Sequence, residues 1–362
     1  MADSLIDKVT SLAKRRGFAF FGADQAALSG ACDWGPLGVR LKGNVRNAWL
    51  KAMLQLRDDV DLLDAAILAP AIGAGALQLA ARDGGPSLAL RSDLAQGMFA
   101  NFENVRQASR RRVPFGLAAV GRVFRDESAP SMPLFRAREF EQMALLYFVK
   151  PGADEDGLEY WRRQRLEWYV SELCLKREHL RFEDDDLEYE FPFGWKPIEG
   201  VHRRGSAPRL SYFDDVTGER LTPSVIEAVA GLDRAVLAAI LEAYDEEPDK
   251  DGIRVVLRFS KTVAPIQVAF LPLSKRDNLS QLASRLEHEL RSTFVTEYDE
   301  TASIGKRYRR QDEIGTPLCV TVDFQSVEDR AVTIRQRDSM QQQRVSLDRL
   351  REALEDTLDS LT

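Results

Sequence analysis

The chain has 362 residues, of which 44% are hydrophobic, and its formal net charge at pH 7 is −7. This length exceeds that of one small domain and can bury a substantial core, and no run of about 18 apolar residues predicts a membrane span. Three isolated cysteines without a Cys-x-x-Cys pair argue against a disulfide framework and a zinc site, and the N-terminal region lacks the apolar stretch of a secretory signal. We expect a cytoplasmic protein of two domains.

Helical and strand patterns alternate along the chain. The spacing of apolar residues predicts helices over 4–16, 39–56, 157–175, 234–243, 280–294 and 346–358. Alternating patterns predict strands within 118–149 and over 253–259, 266–273, 318–324 and 331–336. The acidic segment 183–190 is expected to be a solvated turn or a strand edge. The charged Pro/Gly segment 244–252 is expected to link a domain over 1–250 to a compact α/β domain over 251–362.

The segment 121–143 carries four arginines around a predicted turn at 128–134. Arg125 and Glu127 lie two positions apart, so on an extended strand both would face the same side. The residues that would share one face of the returning strand are Arg136, Arg138 and Phe140. Because a guanidinium binds phosphate through two parallel hydrogen bonds, the pattern indicates a hairpin that handles a polyanion. A salt-bridged surface hairpin is the alternative interpretation.

Two further basic clusters stand out against the acidic total charge, at 110–112 and 306–310. Phosphate binding depends on local fields rather than on net charge, so such clusters are candidates for contact with nucleic acid. Tyr308 in the second cluster would offer a stacking surface for an unpaired base. A solvated loop is the alternative for either run.

The hairpin resembles motif 2 of class II aminoacyl-tRNA synthetases, and its Arg-Glu-Phe-Glu-Gln-Met segment resembles the glycyl-tRNA synthetases of bacteria in particular. Segments 33–39, 225–244 and 303–317 resemble that family's motif 1 region, motif 3 and anticodon-binding domain. Ordered matches over nearly the whole chain make the resemblance specific. It implies an antiparallel class II sheet flanked by helices, followed by a small α/β anticodon-binding domain, and a homodimer formed through 34–39.

The resemblance also implies ATP and Mg²⁺ as cofactors, a glycine tRNA as partner and particular roles for individual residues. At the phosphates, Arg125 would hold the α-phosphate and the substrate carboxylate, Arg234 would hold the γ-phosphate, and Arg136 or Arg138 would assist. At the adenine, Glu127 would bind the amine and Phe140 would stack on the ring. Glu199 would help to hold Mg²⁺. The residues implied to contact tRNA are Lys306, Arg307, Tyr308, Arg309 and Arg310.

The amino-acid pocket departs from the family's pattern. Where the family holds the ammonium of glycine with two glutamates and a serine, this chain has Asp93, Pro197 and Val229. A shortened acid, a lost acid and a lost hydroxyl leave a buried ammonium poorly paired. We therefore expect a less polar pocket with weak or absent glycine activation.

Three functions remain open at this stage. The first is an ordinary glycyl-tRNA synthetase with a rearranged pocket. The second is a relative that activates another small amino acid or an acyl substrate for tRNA or another acceptor. The third is a catalytically silent protein that binds tRNA or another nucleic acid. The retained phosphate-binding residues argue against the third function, and the altered pocket argues against the first.

Overall fold

A computed structural model describes residues 4–20, 32–70, 75–79, 87–127, 135–206, 208–214, 217–249 and 252–361. The predicted turn at 128–134 lies outside these residues. The helices are α1 (Leu5–Arg16), α2 (Pro36–Leu50, continued by a π turn, Lys51–Gln55), α3 (Ala95–Ala100), α4 (Phe102–Ala108), α5 (Asp154–Glu172), α6 (Leu232–Ala243), α7 (Asp277–Leu290), α8 (Ile304–Ile314), α9 (Gln325–Asp329) and α10 (Leu350–Ser360). None of the helices in these ranges is long and apolar enough to cross a membrane.

The strands fall into two large sheets and several small ones. The first large sheet and its small neighbours comprise β1 (Ala19–Phe20), β2 (Asp33–Trp34), β3 (Val60–Leu62), β4 (Leu68–Pro70), β5 (Gln78–Leu79), β6 (Leu88–Leu90), β7 (Phe115–Phe124), β8 (Glu139–Val149), β9 (Leu180–Glu183), β10 (Asp186–Phe191), β11 (Gly194–Ser206), β12 (Tyr212–Asp214), β13 (Glu219–Leu221) and β14 (Ser224–Gly231). The remaining strands are β15 (Tyr244–Asp249), β16 (Gly252–Leu257), β17 (Val268–Pro272), β18 (Thr296–Tyr298), β19 (Leu318–Val322), β20 (Ala331–Gln336) and β21 (Gln342–Ser346).

Seven strands form the N-terminal sheet in the order β3-β7-β8-β14-β11-β10-β9, and all neighbours except β3 and β7 are antiparallel. The β7–β8 register sets Phe124 opposite Glu139 at one end and Phe115 opposite Phe148 at the other. Helices α1, α2, α5 and α6 cover one face, and α3 and α4 pack on the other. The acidic segment 183–190 forms the β9–β10 hairpin at the sheet edge, in accord with the strand-edge expectation.

Five strands form the C-terminal sheet in the order β18-β17-β19-β20-β21. Its core lies against α7 and α10, whose leucines recur at helical spacing, as the sequence predicts for Leu350, Leu354 and Leu358. An antiparallel sheet flanked by helices and followed by a small α/β module is therefore confirmed as the fold class.

The expected linker at 244–252 is wrong for its described part. Residues 244–249 form β15, which pairs with β16 from Tyr244–Leu257 to Asp249–Gly252. The charges that suggested a solvated linker belong to ion pairs instead, since Glu247 accepts from Arg254 at 2.6 Å. Beyond this hairpin, Phe259 packs in the N-terminal core against Phe18. The division into domains at residue 250 stays a prediction.

Candidate active site

A cavity of about 390 Å³ opens at the end of the N-terminal sheet where β7 leaves Phe124 and β14 enters α6. It lies between the two arms of the arginine-rich hairpin and the neighbouring strands β11 and β14. The residues singled out from the sequence that line it are Arg125, Glu127, Arg136, Phe140, Pro197, Glu199, Val229 and Arg234. Segments far apart in the chain thus meet at one site.

The hairpin arms are held together beyond the last paired strand residues. The amide of Arg125 donates to the carbonyl of Arg138 at 2.8 Å, and Arg138 Nε donates to the carbonyl of Glu127 at 2.9 Å. Arg138 does not line the cavity and braces the opposite arm, whereas the Arg125 guanidinium lies 5.1 Å from the Phe140 ring centroid. Arg125 and Phe140 are therefore the hairpin residues that form a polar and an aromatic wall side by side.

Arg234 lies in the first turn of α6 and points back across the sheet. Its Nε donates to the carbonyl of Phe135 at 3.1 Å and its Nη1 to the carbonyl of Pro197 at 2.9 Å, and the guanidinium lies 4.2 Å from the Phe135 ring centroid. Burial, followed by the charges of Arg125 and Arg136, lowers the pKa of Arg234. None of these three guanidinium groups forms an ion pair among the described residues, and the Asp186 carboxylate, which also lines the cavity, offsets only part of the effect on Arg234, so the cavity favours an anion.

Glu199 lines the same cavity and is only 2% exposed. Its Oε1 accepts from Arg165 Nε at 2.6 Å, and its Oε2 has no hydrogen-bond partner among the described residues. Burial, together with the charge of Glu199, raises the pKa of the adjacent Tyr169. Mg²⁺ characteristically takes one or two protein carboxylates and completes its shell with water and phosphate. Glu199 is, however, neutralised by the buried Arg165 and lies against Tyr169, so a role in holding Mg²⁺ stays a prediction, and within the described ranges no cluster of three or more acidic, His or Cys side chains could hold a metal by itself.

The three substituted pocket positions do not share one wall. Pro197 and Val229 line the cavity together with Arg125, Arg136 and Arg234. Asp93 lies outside that lining, and its Oδ1 accepts from the amide of Gln96 at 3.2 Å where α3 begins. Its carboxylate thus has a local structural partner, and a role in binding an ammonium stays a prediction.

Sequence reasoning missed a buried acid next to this end of the cavity. Glu227, in the apolar strand β14, is 2% exposed, and its Oε2 accepts from Arg204 at 2.5 Å and lies 2.7 Å from His202 Nε2. Burial alone would raise the pKa of Glu227, but the hydrogen bonds from His202 and Arg204 lower it. An acid inside an apolar strand is the sequence signal, because a buried carboxylate requires cationic partners.

A second missed cluster joins α2 to the cavity. Lys42 Nζ on α2 forms ion pairs with Asp233 at 2.6 Å and with Glu141 at 3.0 Å, and Asp233 also accepts from the amide of Glu141 at 3.1 Å. Asp233 lines both this cavity and a neighbouring one of about 510 Å³ that Lys42 lines. No spacing rule in the sequence connects Lys42 with residues about a hundred and two hundred positions away.

The predicted tRNA-binding run lies on α8 and faces largely inward. Arg307 is buried and donates to the carbonyl of Pro272, so the structure contradicts its assignment as an RNA contact. Tyr308 is partly buried with Arg335 4.8 Å from its ring centroid, Arg309 pairs with Asp249, and Arg310 pairs with Asp299 at 2.5 Å. Lys306 is the exposed member of the run.

Comparisons with known proteins agree with this architecture. A family model described as the anticodon binding domain matches residues 267–357. The glycine–tRNA ligase of Streptomyces coelicolor is 38% identical over 97% of this chain and 98% of its own length, and that of Treponema denticola is 39% identical over 94% of each. A prolyl-tRNA synthetase from Cryptosporidium parvum, solved with halofuginone and AMPPNP, superposes with a TM-score of 0.74 at 16% identity, covering 99% of this chain and 77% of that one. At that identity the likeness shows the fold alone.

This chain is shorter than the alignment with its relative. The match to the Streptomyces protein extends over 454 positions, whereas this chain has 362 residues, so roughly a fifth of the alignment has no counterpart here.

Proposed function

Because the chain belongs to the glycine–tRNA ligase family of class II synthetases, we propose that it activates a small amino acid with ATP and transfers it to a tRNA. The observation that carries the proposal is the convergence of Arg125, Arg136 and Arg234 with the Phe140 ring on one cavity. A triphosphate supplies the negative charge that these cations lack, and adenine supplies a planar partner for the ring. A cytoplasmic location follows, since ATP and tRNA are found there.

The proposed chemistry needs no nucleophile from the protein. An oxygen of the amino-acid carboxylate attacks the α-phosphorus, a new C–O–P bond forms, and the bond to the departing pyrophosphate breaks. Arg125 neutralises the charge that builds on the α-phosphate, and Arg234 holds the far end of the triphosphate in line. Mg²⁺, where bound, adds positive charge at the leaving phosphates. Glu199, which lines the cavity, is the carboxylate that would hold it.

We assign the second half-reaction to a glycine tRNA and the assembly to a homodimer. Support for self-association comes from apolar side chains left in water on elements near α2, such as Val39 at 58%, Leu56 at 70% and Leu62 at 53% exposure. Leu62 belongs to β3, the edge strand of the seven-stranded sheet. Exposed apolar residues on an unpaired edge are characteristic of a protein interface.

Amino-acid-dependent pyrophosphate exchange, screened over the standard amino acids with and without tRNA, tests the proposal. Wild-type protein is expected to support exchange with at least one small amino acid, and Arg234→Ala is expected to abolish it. Arg122→Ala is the matched control, because Arg122 lies on the same hairpin but outside this cavity and pairs with Glu139. Absence of exchange with every amino acid, despite tRNA binding, would establish the silent nucleic-acid-binding alternative.

A second candidate substrate has its own observation. Val229 and Pro197 give the cavity an apolar surface where an ammonium would require acids, and Glu227 is already neutralised by Arg204 and His202. A small amino acid or acyl group other than glycine fits these surroundings better. A screen in which glycine ranks below another substrate supports this candidate, and robust exchange with glycine alone rejects it.

A further inference from the structure

A second concave surface lies at the opposite end of β7 from the candidate active site. It is a cleft of about 550 Å³ between the turn that follows α4, the end of β8 and the β12–β13 hairpin. We call it the basic cleft, because five cations and one acid, Asp214, line it; the residues on which the argument rests are Arg106, Arg110, Arg112, Lys150, Tyr212 and Phe213. The ten residues of β7 separate it from the active site by about 30 Å.

The cations of the basic cleft have two different kinds of surroundings. Arg106 pairs with Glu103 at 2.8 Å and lies 5.1 Å from the Tyr212 ring centroid, which fixes it as part of the wall. Arg110, Arg112 and Lys150 are exposed, and their side chains form no ion pair within the part of the chain that the structure describes. Three unpaired cations therefore remain, in a protein whose total charge is negative.

The backbone that presents these cations is itself well defined. After α4, the amide of Arg111 donates to the carbonyl of Arg106 at 2.8 Å, and Arg110 adopts φ 53°. Glycine or asparagine ordinarily occupies this left-handed position at a helix end. Arg111 anchors the turn from below through a bidentate pair with Asp61 at 2.7 Å. The turn thus holds an arginine where its backbone conformation favours a different residue.

An aromatic side chain completes the cleft. Phe213 lies on β12 and is 53% exposed, next to Tyr212, which is buried. The hairpin that carries it pairs only β12 with β13 among the described strands. An exposed ring beside unpaired cations is the combination with which proteins bind single-stranded nucleic acid, where the cations follow the phosphates and bases stack on the ring.

We propose that the basic cleft binds RNA, with Arg110, Arg112 and Lys150 on successive phosphates and Phe213 stacked on an unpaired base. A membrane surface fits less well, because the cleft is concave and carries one exposed aromatic residue rather than an apolar face. The proposal requires only RNA binding and does not depend on the aminoacylation chemistry proposed above.

Fluorescence anisotropy with labelled tRNA and with a labelled oligouridine, measured over a series of KCl concentrations, tests the proposal. Arg110→Gln/Arg112→Gln/Lys150→Gln is expected to weaken binding at least tenfold and to reduce the slope of log K against log salt by about two. Phe213→Ala is expected to weaken binding between about fivefold and a hundredfold with an unchanged slope, because stacking involves no counterion release.

The control variant Lys14→Gln/Arg163→Gln/Lys176→Gln removes the same charge from exposed positions outside both the cleft and the segment that matches the anticodon binding domain. Equal losses in the control and cleft variants would show that only net charge matters and would overturn the proposal. So would a change in sedimentation without a change in RNA affinity, which would make the cleft an interface between copies. Pyrophosphate exchange without tRNA should be unchanged in the cleft variants, so failure of the adenylation proposal is recognised separately.

Discussion

The arginines of the β7–β8 hairpin and those of α8 belong to equally basic segments, yet their guanidinium groups have different surroundings. Arg125 of the hairpin and Arg234 of the adjacent α6 meet carbonyl oxygens and aromatic rings, and neither forms an ion pair within the described part of the chain. On α8, Arg309 and Arg310 meet the carboxylates of Asp249 and Asp299. Cations that the fold leaves unneutralised can serve a ligand, whereas cations that it neutralises hold the domain together.

The largest expected effect follows from the uncompensated side of this comparison. Arg125→Ala and Arg234→Ala should each lower pyrophosphate exchange about 100-fold or more, because each removes a charge directed at a phosphate in the transition state. The midpoint of thermal unfolding should remain within about 2 °C for Arg125→Ala, whereas Arg234→Ala should lower it somewhat further, because Arg234 also donates to the carbonyls of Phe135 and Pro197. Exchange kinetics and calorimetry on the same preparations check the predicted loss of activity and the predicted stability. A large fall in stability would show that these arginines mainly hold the fold together instead of serving a ligand.

The opposite outcome is expected on α8. Arg307→Met should reduce the free energy of unfolding by about 2 kcal/mol, because it leaves the carbonyls of Pro272 and Leu273 without their buried donor. Exchange without tRNA should not change. Arg309→Met is the control, since its pair with Asp249 is partly exposed and contributes under about 1 kcal/mol. Urea unfolding measures the two variants, and equal stability of both would contradict the comparison.

At the amino-acid end of the cavity, we expect a smaller effect, and it is a gain of exchange activity rather than a loss. Asp93→Glu/Pro197→Glu/Val229→Ser should increase glycine-dependent exchange about tenfold, because it restores polar partners for an ammonium. Since Asp93 lies outside the cavity lining, Pro197→Glu/Val229→Ser should supply most of the gain. Pro197 and Val229 line one cavity, so the effects of these two substitutions should not add. Glycine exchange as fast in wild type as in these variants would remove the case for an altered substrate.

The sequence predicted the fold and several residues that the structure brings together at one cavity, for identifiable physical reasons. Apolar periodicity locates α1 and α10 to within a few residues because burial of one face decides their conformation. Arg125 and Phe140 could be identified from the sequence because both lie within one hairpin and are close together along the chain. Lys42 and Glu227 were not, since their partners come from distant segments and no one-dimensional pattern brings them together. The expected linker at 244–249 was wrong for the same reason, because its acids find arginines only after β16 folds back.

The smallest expected effect concerns Lys306, the exposed cation of the α8 run. Lys306→Gln should weaken tRNA binding a few-fold and lower the salt slope by about one, because it removes a single phosphate contact. Arg310→Gln should leave the slope unchanged, since Asp299 and Thr301 already occupy its donors. Anisotropy titrations at several KCl concentrations distinguish the two variants. If Arg310→Gln instead flattened the slope as much as Lys306→Gln, that result would mean that an arginine paired within the fold also contacts RNA. Ion pairing within the fold would then no longer distinguish structural arginines from RNA-binding ones.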